Sequence, residues 1–248
     1  MKLKFMILLL LISNIFASDL QKQLNNLVIV AEKDYPPITF KNKNGQPDGL
    51  AVEVAKKIMK NLNMKQKIHV WPWNRAYILL QKKPNFLVFS VSRTEEREKM
   101  FQWVGPIYSM KSSFYAKSDS KIIIKNLDDA KKLKKIGTYL NDFNEQLLKQ
   151  KGFTNLEATI NNILNIKKLM HNRVDVITAT NVTIKDMLKK ANYSMKDIKP
   201  LYTFRNTGVY FAFSKEVPFE VVDTFRKEFE KLRSTCELQK IRDKWLKE

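Results

Sequence analysis

Phe89-Ser90-Val91-Ser92-Arg93-Thr94-Glu95-Glu96-Arg97 reads as a buried strand that ends in two hydroxyls and runs at once into a helix. The apolar run at 86–89 supplies the strand. Ser92 and Glu95 have the spacing of a capping box, in which hydroxyl and carboxylate satisfy the first free amides of a helix. A strand that feeds a helix so directly belongs to an open α/β sheet, where ligands settle outside the carboxyl ends of the strands. Amides at the helix start, the hydroxyls of Ser90 and Ser92 and the guanidinium of Arg97 would then converge on an anion, ideally a carboxylate. An ordinary capped helix with a surface arginine fits the same nine residues, so their surroundings have to decide.

Upstream, 27–31 is a short apolar strand pattern, ended by Tyr35-Pro36-Pro37 because consecutive prolines cannot continue a ladder. Val54, Ala55, Ile58, Met59 and Leu62 then recur at helical spacing, followed by a strand at 67–70 and a helix at 73–82. With 86–89 this is a β-α-β-α-β series, the mark of a mostly parallel sheet flanked by helices. Downstream a second series follows. It has strands at 112–116, 135–138 and 174–178 and a helix at 126–134 capped by Asn126. Further helices are expected at 142–150, 162–170 and 183–190. A strand at 208–213 and helices at 219–232 and 236–246 close the chain. Two α/β units without a flexible linker predict two lobes joined by hinge strands that cross near 109–113 and 201–206. The expected division is 18–110 for the first lobe, 111–204 for the second and 205–248 for the return to the first.

Lys2 and Lys4 precede an apolar run from Phe5 to Ile12, and a short polar stretch leads to Ala17. This is the pattern of an export signal on residues 1–17. The run is well short of the ~20 apolar residues that span a membrane. No cysteine stands at the end of the signal to carry a lipid anchor, so a soluble periplasmic product is expected. The secreted chain should begin at Ser18, and N-terminal sequencing that finds 1–17 retained would overturn this reading. Cys236, the only cysteine, is expected to be a small, partly buried residue rather than a reactive thiol.

The net charge of +20 becomes +18 without Lys2 and Lys4. The lysines are dispersed along helical stretches, as at Lys56, Lys57 and Lys60 or at Lys189 and Lys190, which reads as solvated faces rather than a nucleic-acid surface. His69 and His171 stand alone, with no Cys, Asp or Glu at ligand spacing, so no metal and no cofactor is expected. There is no phosphate loop of specific form and no nucleophile elbow, and a binding protein is expected before an enzyme.

The whole arrangement resembles the family 3 extracellular solute-binding proteins, the amino-acid receptors of ABC importers with the type II periplasmic fold. The resemblance rests on Asp34-Tyr35-Pro36-Pro37 with Phe40 and Gly45, on Gly49-Leu50 leading into Val52-Glu53-Val54-Ala55, and on Trp73 before a helix ending Leu79-Leu80. It continues through 90–97, Trp103, Pro106-Ile107-Tyr108, Ile136-Gly137, Arg173-Val174-Asp175 and the terminal Ile241-Arg242-Asp243-Lys244-Trp245. By that resemblance Ser90, Ser92 and Arg97 would hold a ligand's α-carboxylate, Tyr35 and Trp73 would flank its side chain, and an importer permease would be the partner of a monomeric receptor. Tyr35 and Trp73 read equally well as core aromatics.

Two departures bear on the ligand. The usual Gly-Ser/Thr-Thr run after Ile136-Gly137 is replaced by Asn141-Asp142-Phe143, and the aspartate that pairs with the α-ammonium falls at Thr180 or Asn181. A buried ammonium without a carboxylate costs several kcal/mol. Either Asp142 takes over that task, or the ligand is not a standard α-amino acid. Arg75, in the first turn of its helix, could serve as a second anion-binding group or face solvent. A cleft enzyme resembling cyclohexadienyl dehydratases, with Glu53, Asp142 or Asp175 as its acid, and a receptor for a membrane sensor are the alternatives.

Overall fold

Apolar residues that alternate between two faces explain the central strands of the first lobe in the structure, a computed structural model that describes residues 18–246. The export signal expected on 1–17 lies outside the described residues. The strands are β1 (Val28–Glu32), β2 (Asp34–Tyr35), β3 (Thr39–Lys41), β4 (Pro47–Asp48), β5 (Ile68–Trp71), β6 (Phe86–Ser92), β7 (Phe101–Lys117), β8 (Ile136–Tyr139), β9 (Leu156–Thr159), β10 (Val176–Thr180) and β11 (Ile198–Ser214). In β1, Ile29 and Ala31 enter one apolar cluster and Val30 the other. In β6, Leu87 and Phe89 join the first and Phe86 and Val88 the second, the period of two that a sheet covered on both faces requires.

The helices that cover these faces are α1 (Leu50–Asn61), α2 (Trp73–Lys82), α3 (Leu127–Lys131), α4 (Phe143–Gln150), α5 (Asn162–Met170), α6 (Ile184–Lys190), α7 (Phe219–Ser234) and α8 (Glu237–Trp245). Helix α1 buries Val54, Ala55, Ile58 and Met59 of the stripe read from the sequence, together with Leu50, Ala51 and Val52, while Leu62, the last of that stripe, caps the helix and is only half-buried. Gly49 starts it at φ 118°, where a Cβ would collide with the Ile38 carbonyl, so only glycine permits this close turn behind Tyr35.

An eight-stranded sheet runs in the order β5-β1-β6-β11-β7-β10-β8-β9. Its outer triplets are parallel within themselves, and its centre is the antiparallel pair β7 and β11. These two strands have 17 residues each, which at ~3.3 Å per residue is long enough to serve both triplets. Two apolar clusters flank β5-β1-β6, drawing on residues from Leu24 to Met110 and from Val209 to Ile241. Two more flank β10-β8-β9 and lie between Phe114 and Ile198. The molecule is thus α/β and two-lobed, with Phe143 of the second lobe packed into a cluster of the first. Fully burying each large apolar side chain contributes about 1.5 to 3 kcal/mol.

Several local expectations change. The strands expected at 112–116 and 208–213 are parts of β7 and β11, and β9 and the small β2-β3-β4 sheet were not foreseen. Asn126 does cap a helix, accepting from the Asp129 amide at 3.0 Å, but α3 ends at Lys131. The capping box at Ser92 and Glu95 does not form. Ser92 stays in the ladder opposite Val209, the chain remains extended to Thr94, and only a 3-10 turn follows at Glu95–Met100. Cys236 is exposed rather than partly buried, because it sits at φ 58° in the turn between α7 and α8.

Candidate functional site

The carboxyl ends of four strands meet in one place. Glu32 is the last residue of β1, Ser92 of β6, Tyr139 of β8 and Thr180 of β10. Three of these four, all but Thr180, line a small cavity together with Tyr35, Trp73, Ser90, Arg97, Asp142 and Phe143. The first lobe supplies Glu32, Tyr35, Trp73, both serines and Arg97, and the second supplies the rest. The cavity encloses about 20 Å³, room for about one water.

Ser90 reaches it through a bulge. Phe89 pairs with Phe211 and Val91 with Tyr210, so Ser90 is one residue too many in the ladder, and it takes the left-handed conformation at φ 70°. The extra residue inverts the alternation. Phe89 lies in one cluster and Val91, two residues on, in the other. The Ser90 hydroxyl is buried and has no partner within the protein, and Oε1 of Glu32 is in the same condition. Strain and unpaired polar atoms that coincide at a cavity point to a functional constraint.

Arg97 is fully buried beneath the cavity, its guanidinium 4.6 Å from the centre of the Tyr77 ring and 5.4 Å from that of Trp73. Trp73 and Tyr77 stack at 5.1 Å because they stand four apart on α2. Arg97 donates to the Asn141 carbonyl at 3.3 Å and from Nε to Oε1 of Gln146 at 3.1 Å, both in the second lobe. The Asn141 carbonyl also accepts from the Trp73 indole at 3.0 Å, and Nδ2 of the Asn141 side chain donates to Oδ1 of Asn74 at 2.5 Å. This loop turns at Asn141, φ 59°, and Asp142 caps α4 by accepting from the Glu145 amide at 2.7 Å.

The two carboxyls facing the cavity are held near neutrality. Burial pushes Glu32 up to about 8, with repulsion from Asp142 and Asp34 adding to it and the Tyr139 hydroxyl opposing it. Burial likewise pushes Asp142 up to about 7, against the pull of the Glu145 amide and the Arg97 charge. Burial lowers Arg97 from its ordinary value, but a guanidinium stays charged at any physiological pH.

A stability profile follows. Ordinary values are 4.5 and 3.8, so between about pH 4 and pH 8 the folded protein holds protons that the unfolded chain has released. Stability therefore falls as pH rises through that window. Below it, carboxylates such as Glu157, lowered by Lys168 and Lys135, lose their contribution as pH falls. Thermal scans should find the highest melting temperature near pH 5, and Glu32→Gln should flatten the decline toward pH 8. A wild-type melting temperature constant from pH 5 to 8 would contradict this.

The structure gathers Tyr35, Trp73, Ser90, Ser92, Arg97 and Asp142 around one cavity and leaves three expected residues outside its lining. Arg75 is two positions, about 200°, from Trp73 around the helix, so it faces out. It is exposed, lies 4.5 Å over the Trp71 ring and lines a groove outside the cavity with Asn74 and Tyr139. Thr180 is buried, its hydroxyl 2.9 Å from that of Thr183. Asn181 is exposed, its side chain accepting from the Lys111 amide at 2.8 Å, which ties it to β7. Glu32 and Tyr139 were missed. The available signal was position alone, since each ends a parallel strand, and for Glu32 an acid closing the apolar run Val28-Ile29-Val30-Ala31.

The chain is 25% identical to the arginine-binding periplasmic protein of Mannheimia haemolytica over 88% of its own length and 90% of that protein. It is 24% identical to the L-cystine-binding protein TcyJ of Escherichia coli (strain K12), over 90% and 84% respectively. Among solved structures, a histidine kinase sensor domain with similarity to periplasmic binding proteins superposes with a TM-score of 0.80 at 20% identity, covering 89% of this chain and 96% of that one. The family's model matches residues 27–248, which makes this chain a member of the bacterial extracellular solute-binding proteins, family 3.

Proposed function

We propose that this chain is an exported, monomeric receptor that captures a basic amino acid by closing its two lobes and delivers it to an ABC importer. The observation that carries the reading is the charge inside one cavity: a single guanidinium, Arg97, faces two carboxyls, Glu32 and Asp142. Ionised, the set has one negative charge in excess. A solute of net charge +1 brings the buried cluster to neutrality, which desolvated charges require. In this reading Arg97, Ser90 and Ser92 take the α-carboxylate, Asp142 the α-ammonium and Glu32 the side-chain cation, with Tyr35, Trp73 and Phe143 along the aliphatic stem. Thr180, bonded to Thr183, and Asn181, bonded to the Lys111 amide, would hold the loop behind the pocket, and Arg75 takes no part in the binding. The name of the Mannheimia relative supports a basic solute.

Closure is supported by cavity size. Space for about one water admits an amino acid only if the lobes part, and 18–110 with 205–248 would turn against 111–204 about β7 and β11. Calorimetry with arginine, lysine, ornithine, glutamine and glutamate tests the reading. Basic amino acids should bind at least about tenfold more tightly than the neutral one, a difference of ~1.4 kcal/mol. Equal or stronger binding of glutamate would refute it. X-ray scattering should give a smaller radius with a bound basic amino acid than without.

The rival reading is a cleft enzyme, favoured by one observation: carboxyls with values near 7 and 8 in a cavity are competent general acids. The relatives named above are binding proteins. Turnover of a prephenate-like substrate by the purified protein would decide for the enzyme.

A further inference from the structure

Arg205 lies on β11 between the two lobes, and its side chain is mostly buried. Its Nη1 donates to the Phe143 carbonyl at 3.1 Å, and its Nη2 lies 3.5 Å from Oε2 of Glu96. The guanidinium also stands 5.8 Å from the centre of the Phe143 ring. These partners matter because of what they adjoin. Phe143 is the first residue of α4, next to Asp142, and Glu96 directly precedes Arg97. A single planar fork on a third element therefore holds the neighbours of both charged pocket groups, one from each lobe. A lysine ammonium cannot meet both partners with the fixed geometry of a guanidinium.

From this geometry we infer that Arg205 is a positioning residue of the pocket, fastening the turn that carries Arg97 to the helix start that carries Asp142. The inference rests on the closure described in the proposed function and goes beyond it by naming what holds the closed register. Burial tends to raise the Glu96 carboxyl, but the Thr94 hydroxyl, its own backbone and Arg205 outweigh this and keep it below its ordinary value, so the pair is ionised at neutral pH. Arg93 and Glu98 form a built-in control. Their pair is closer, at 2.5 Å, but it is more exposed and lies wholly within the first lobe. A pair within one lobe cannot bias the relation between two.

The test uses the full secreted chain with Cys236→Ser and spin labels at positions 82 and 167, both exposed and in different lobes. Distances are measured by pulsed electron resonance without added solute. Arg205→Gln and Glu96→Gln should each shift the distribution to longer separations, Arg205→Lys should shift it less, and Glu98→Gln should match the parent. With L-arginine as probe, stopped-flow tryptophan fluorescence should give dissociation about tenfold faster in Arg205→Gln and Glu96→Gln with association little changed, the pattern of a lost holding contact. Distances in both variants equal to the parent would overturn the inference, as would an equal shift in Glu98→Gln. If Arg205→Gln does not fold, Glu96→Gln decides alone. A parent that ignores L-arginine removes the basic-amino-acid reading, while the distances still decide the role of Arg205.

Discussion

Arg97→Ala is expected to weaken binding of a basic amino acid by about 2 to 5 kcal/mol, the range for removing one partner of a buried charged pair. Arg97 is fully buried and lines the cavity, and its guanidinium donates to the Asn141 carbonyl and to Gln146, which stand beside Asp142 on the second lobe. Truncation leaves the solute carboxylate without its cation and leaves Glu32 and Asp142 uncompensated, so both terms act in the same direction. Arg97→Lys should recover only part of the loss, because an ammonium lacks the planar fork and the stacking on Tyr77 and Trp73. Calorimetry of both variants, with thermal scans to establish folding, measures the effect. Unchanged affinity in a folded Arg97→Ala variant would show that 89–97 is a structural turn and no anchor.

The carboxyls give the second large effect. Asp142→Asn with Glu32→Gln removes both negative charges from the cavity, and affinity for a basic amino acid should fall at least about a hundredfold, ~2.7 kcal/mol. The pH dependence identifies the cause. Each carboxyl must ionise to meet a cation, and their values are about 7 and about 8, so wild-type affinity should rise as pH climbs from 6 toward 8 and level off above. The limit is about tenfold per pH unit for each proton released. This trend is opposite in sign to the decline in stability over the same range, since ligand and proton compete for the same oxygens. In the double variant the slope should vanish. A wild-type affinity independent of pH from 6 to 8 would show that neither carboxyl meets the solute's cations.

Much of the fold and of the cavity lining is legible in the sequence, and particular residues show why the rest is not. Helix α1 was readable because its apolar stripe recurs at a local spacing, and the place of Ser90, Ser92 and Arg97 at the cavity was readable because clefts form outside strand ends in an open α/β sheet. The capping box at Ser92 was a local reading defeated by a distant one, the pairing of Ser92 with Val209. Arg75 has the chemistry expected of an anion site, but its angular position on α2 sends it outward onto Trp71. Glu32 ends an apolar strand and reads there as a polar terminus. Its significance comes from Tyr139 and Asp142, more than 100 positions along the chain.

The sequence by itself determined most helices and the parallel strands near 28, 68, 86, 136 and 176, and it placed the two serines at a strand end, because periodicity and turn chemistry act between near neighbours; the solute-binding class came from motifs resembling a family along the whole chain. Tertiary structure decided what those elements do together. The bulge that turns Ser90 into the cavity exists only because β6 and β11 are paired out of step. The 17-residue crossing strands exist only because β7 and β11 find each other across some 90 positions. The raised carboxyls exist only because two lobes withdraw them from water at one point. Ladders, burial and charge coupling are non-local, and no window of sequence contains both partners.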